Sequence, residues 1–174
     1  MRTLAKVGLV AAGYIGAFAL ASAVVAVHIA ATSGADRQQY GAMFSFGDDL
    51  LFVAVFGLAA VIPFGIALVF LRPYPSFWRV LSLTALFFAA TAVAMFFSYV
   101  APQPSEPQSA ARAWLAVAGL LRTVLSPFFG LACLVAAVIA PSRSPRLGLL
   151  VAAALEGSVF GPIALTWLYR VRLP

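Results

Sequence analysis

Hydrophobic residues gather into five long runs along the chain, separated by short polar or basic stretches. The runs are Val7 to Ala31, Leu50 to Leu71, Val80 to Ala101, about Trp114 to Ala140, and Leu147 to Tyr169. A bilayer core ~30 Å thick needs ~20 helical residues, so each run reaches spanning length. Lipid leaves every backbone polar group to be satisfied within its own segment, which selects helices. The period-two alternation of an outer-membrane barrel is absent. The pattern predicts an all-α, polytopic transmembrane bundle of five membrane-spanning helices, forming one integral membrane domain over residues 1–174.

The links sharpen this picture. Residues 32–49 are polar at first and aromatic later, residues 72–79 and 141–146 are tight turns with two arginines each, and residues 102–112 carry three prolines and read as an exposed loop. Short links place consecutive helices antiparallel and adjacent. No internal repeat supports an inverted-repeat transporter fold. The first run has Arg2 and Lys6 before it and an Ala21-Ser22-Ala23 segment like a cleavage site. Its 25 residues exceed the ~7–15 of a signal-peptide core, so it is read as a retained helix. Basic residues favour the cytoplasmic side of short loops. Arg2, Lys6, Arg72, Arg79, Arg143 and Arg146 against Arg37, Arg112, Arg170 and Arg172 predict an N-in, C-out orientation. Trp78, Tyr74, Trp114, Trp167 and Tyr169 near run ends are expected at the membrane interface.

Composition agrees: 64% of residues are hydrophobic and 9% charged, against about 45–50% and about 25% in soluble domains. This excludes a soluble globular domain, a disordered chain and a disulfide-stapled module. The net charge of +6 is scattered in ones and twos, with no basic stripe for nucleic acid. Cys133 is the only cysteine and is expected to be a buried small hydrophobe; His28 is the only histidine. An intrachain disulfide, cysteine-rich zinc sites and bis-histidine haem are therefore excluded, and no metal or cofactor is expected. Lys6 is the only lysine and precedes the first run, which excludes a retinal Schiff base inside the bundle. Ten of the 11 basic residues are arginine and alanine is abundant. That bias suggests a GC-rich bacterial genome and hence the inner (plasma) membrane.

Small residues spaced by four, Gly13, Ala17 and Ala21 in the first run and Ala153, Gly157 and Gly161 in the fifth, mark helix-packing faces. Pro63, Pro127 and Pro162 fall inside runs, where each removes a backbone donor and is expected to kink its helix. Thr84, Thr91 and Ser98 recur every seven residues, and with Ser126 they are candidate lining or helix–helix hydroxyls.

Two charges lie within spanning runs, Arg122 and Glu156, and intramembrane charges are functional candidates by default. Helical rise puts Arg122 ~7 Å to the outer side of its run's centre and Glu156 ~3 Å to the inner side, an axial gap of ~10 Å. They form either an ion pair or proton relay, or they act separately. In the second case Arg122 snorkels to the outer interface and a protonated Glu156 bonds Tyr14, Ser158 or a backbone carbonyl. The stripe Gly119, Arg122, Ser126 and Gly130 favours an inward Arg122. A second polar cluster, His28, Asp48 and Asp49, gathers at the outer edge with Ser98 and Arg112 at comparable height. The aspartates there suit the N-terminus of the second helix. No motif identifies a family. The leading expectation is a non-catalytic scaffold or accessory subunit in the lipid bilayer, with a membrane-protein partner or as a homo-oligomer. The alternative is a homo-oligomeric transporter or channel for a small solute, ion or proton, acting through Glu156 and Arg122. A third reading is an intramembrane enzyme directed at lipid or quinone, using His28 and Asp49.

Overall fold

The computed structural model describes residues 3–34, 37, 39–100 and 110–172. Five long helices run in order: α1 (Thr3–Ala31), α2 (Gly41–Leu71), α3 (Pro75–Val100), α4 (Ala110–Ile139) and α5 (Arg143–Arg172). No strand occurs among the described residues. All five helices are long and apolar enough to cross a membrane, the signature of a multipass membrane protein. The expected proline-rich loop lies largely outside the described residues.

The helices outrun the apolar segments, because backbone hydrogen bonding continues into the polar flanks. α2 starts at Gly41, nine residues before its apolar run, with the Tyr40 carbonyl accepting from the N–H groups of Met43 and Phe44 at 3.0 and 3.2 Å. Asp48 and Asp49 consequently sit two turns inside α2 and do not cap it, which corrects the helix-start expectation. α3 begins on Pro75, whose missing N–H has no intrahelical partner to lose at that position. Pro63, Pro127 and Pro162 lie within helices that continue past them.

The chain divides into two compact units, Met1–Phe70 and Leu71–Pro174. In the first, α1 and most of α2 pair in an antiparallel register that can be read contact by contact. Lys6 Nζ lies 5.2 Å from the Phe70 ring centre, Gly13 faces Pro63, the Phe18 and Phe52 rings meet edge to face at 5.4 Å, and His28 faces Asp48. Ala17 and Ala21 are buried on the same α1 stripe as Gly13. A Cβ on Gly13 would stand 2.7 Å from the Pro63 Cβ, so the close approach depends on glycine.

In the second unit α5 packs against both α3 and α4, and α3 also touches α4. The inward face of α5 is Leu149, Ala152, Ala153, Glu156 and Val159. α4 contributes Gly119, Thr123, Ser126 and Gly130, and α3 contributes Trp78, Ser82, Ala89 and Ala92. Gly148 lies against Ser82, leaving no space for a side chain without moving the serine. Several expectations need correction here. Of the α5 stripe only Ala153 is packed; a Cβ on Gly157 or Gly161 would meet nothing within 4 Å. Trp78 is fully buried, its indole N–H donating to the Leu71 carbonyl at 3.2 Å, so it packs the start of α3 against protein. Tyr74, Trp114 and Tyr169 are exposed, and the side chain of Trp167 lies outside the described residues. Cys133 is only half-buried. Large apolar side chains such as Ile15, Leu58, Ile62, Phe87 and Val138 are exposed on every helix pair, a surface suited to lipid and unsuited to water.

Candidate functional site

The second unit encloses a charged cluster. The helical repeat puts Arg122, Ser126 and Phe129 on neighbouring positions of α4, and Glu156 at the centre of the inward face of α5. Gly130 lets the helices come together there, since a Cβ on it would already touch the Glu156 Cβ at 3.5 Å. Arg122 Nη2 donates to Glu156 Oε1 in a direct ion pair and also to the Phe88 carbonyl of α3 at 3.2 Å. One side chain therefore joins three helices. Glu156 is 2% exposed. Its second oxygen, Oε2, lies 2.7 Å from Ser126 Oγ, which is also 2.8 Å from the Glu156 carbonyl.

Ser126 has one hydroxyl proton for two acceptors. With Glu156 ionised, that proton is shared between the carboxylate and the carbonyl. With Glu156 protonated on Oε2, the carboxyl donates to Ser126 and the serine donates to the carbonyl. The hydrogen bonding between Ser126 and Glu156 closes in either state. The remaining Arg122 donors, Nε and Nη1, are buried without a hydrogen-bond acceptor among the described residues. Their electrostatic partner is the Phe129 ring, whose centre lies 4.6 Å from the guanidinium carbon. Phe129 in turn stacks on Phe88 at 6.2 Å. Arg122 does not snorkel, and Ser158 returns its hydroxyl to the Leu155 carbonyl of its own helix.

The expected hydroxyl stripe on α3 does not line this interior. Thr84 is exposed. Thr91 donates to the Phe88 carbonyl at 2.7 Å, so it shares an acceptor with Arg122. The side chain of Ser98 lies outside the described residues, as does that of Arg112.

The first unit holds a second cluster where α1 ends. Asp48 is buried, with Oδ2 paired to Arg37 and Oδ1 standing 3.8 Å from His28 Nε2, longer than a hydrogen bond. Arg37 Nη1 also donates to Thr32 Oγ1 at 2.6 Å, and Thr32 donates to the His28 carbonyl at 2.8 Å. The Arg37 guanidinium lies 5.3 Å from the Phe44 ring centre. Asp49 points elsewhere and is exposed, so the cluster is His28, Asp48 and Arg37. Beside it is a cleft of about 460 Å³ lined by His28, Tyr40, Met43, Phe44 and Gly47.

Sequence reasoning missed Arg37, which it counted only as a loop charge, and Phe129. The second was findable: Phe129 lies seven residues after Arg122 on one helix face. The Phe88 carbonyl carried no signal, because any α3 residue offers one. Among the described residues no group of three or more His, Cys, Asp or Glu side chains is placed to hold a metal ion. Comparison of the chain with protein-family models, curated proteins and solved structures gives no match, leaving function to be read from its own side chains.

Proposed function

We propose that the protein is a non-catalytic multipass protein of a bacterial inner membrane, working as a scaffold or accessory subunit, with its N-terminus in the cytoplasm and its C-terminus outside. The observation that carries this reading is the full partnering of the buried Glu156 carboxylate. Both carboxylate oxygens are held by partners on α4, and the pair is packed inside three helices. A transport group has to exchange protons or solute with water along a path, whereas a paired carboxylate 2% exposed fixes how helices assemble. The cluster is thus a clamp that gives the second unit one defined arrangement, a registry role attested for buried ionic groups.

The test is purification from native membranes in mild detergent, followed by native mass spectrometry. The accessory reading expects a second membrane protein at fixed stoichiometry, with no proton flux when the chain alone is reconstituted into vesicles. A homo-oligomer alone, with flux abolished by Glu156→Gln at normal abundance, establishes the transporter reading instead. For the orientation, a reporter fused to the C-terminus is expected to be active only on the outer side; activity confined to the cytoplasm overturns it.

A further inference from the structure

The cleft beside His28 is not used by the clamp, and its lining is chemically selective. We propose that it binds the ring of a membrane-soluble quinone or quinol. Its volume of about 460 Å³ falls within the ~300–1,000 Å³ of small-molecule sites. The walls are a phenol, a phenyl ring and a thioether, from Tyr40, Phe44 and Met43. Such groups stack on or pack against a flat ring. Gly47 keeps its side of the cleft open, since a Cβ there would meet nothing within 4 Å. Tyr40 and Met43 are exposed, so the cleft is open and a prenyl tail need not fold into it.

The polar chemistry narrows the ligand further. Among the described residues the only ionisable nitrogen in the lining is the imidazole of His28. Asp48 Oδ1 is buried without a hydrogen-bond donor among the described residues, and the nearest charge partner left to it is His28 Nε2 at 3.8 Å. An imidazole has one nitrogen that accepts and one that donates, so it suits a quinol hydroxyl or a quinone carbonyl. Among the described residues no hydrogen bond occupies Nδ1. A phosphate-bearing ligand is disfavoured because the nearby cation, Arg37, is already paired with Asp48. The inference rests on the membrane reading of the chain and is independent of the accessory role.

The experiment is photolabelling of the full-length protein in mild detergent with an azido-benzoquinone, read by peptide mass spectrometry. Labelling is expected within residues 28–47 and to fall at least fivefold under excess decylubiquinone. Gly47→Leu places a side chain on the cleft wall, where its Cβ meets no neighbour within 4 Å, and is expected to abolish that labelling while the melting temperature is unchanged. His28→Ala is expected to reduce it severalfold, and decides the matter if Gly47→Leu melts early. Labelling spread over all five helices, labelling indifferent to both variants, or competition by phosphatidylglycerol but not by decylubiquinone would overturn the proposal.

Discussion

Glu156→Leu is expected to cause the largest loss of folded protein of any single substitution in the second unit. It leaves Arg122 buried against Phe129 with only the Phe88 carbonyl as acceptor. Removing one partner of a buried pair typically costs about 3–5 kcal/mol, because the remaining charge stays desolvated. The measurable result is loss of the monodisperse peak in detergent size-exclusion and a lower melting temperature. The double variant Arg122→Leu with Glu156→Leu removes both charges and is expected to recover most of the loss, since an apolar replacement of a buried pair is often neutral. Ser126→Ala should be milder, about 1 kcal/mol, because Arg122 still neutralises the carboxylate. A double variant no better than Glu156→Leu alone would show that the pair is not a self-contained clamp.

Gly13→Ala is expected to disrupt the first unit although it adds one methyl group. The new carbon would stand 2.7 Å from the Pro63 Cβ, and a proline ring cannot rotate away as a flexible side chain does. Overpacking of this kind costs about 1–3 kcal/mol. Gly16→Ala supplies the internal control: one turn along the same helix, its Cβ meets nothing within 4 Å, and stability should be unchanged. Pro63→Ala should not rescue Gly13→Ala, because the colliding carbon remains, whereas Pro63→Gly should. Equal melting temperatures for Gly13→Ala and Gly16→Ala would refute the close approach.

Five helices were legible because apolar run length is a direct physical requirement of lipid. Their ends were not, since a helix stops where backbone hydrogen bonding stops. α2 shows the difference: polarity around Asp48 suggested a start that lies two turns too late. Depth arithmetic separated Arg122 from Glu156 by ~10 Å along the axis, but the long arginine side chain and the glycine at position 130 bring the groups into contact. Small-residue spacing read the same on α1 and α5. Only in α1 does the whole stripe find a neighbour, a distinction that depends on partner surfaces and so is invisible in one helix's sequence.

The clamp also bears on how the protein is made. Arg122 and Glu156 are 34 residues apart, on helices joined by the short link 140–142. A lone charge at the centre of an inserting helix costs ~2.5–3.5 kcal/mol. When ribosomal synthesis has reached only the end of α4, the arginine has no counter-ion. Insertion of α4 alone is therefore expected to be less efficient than insertion of α4 and α5 together, which a truncation after residue 142 in a membrane-integration assay would read.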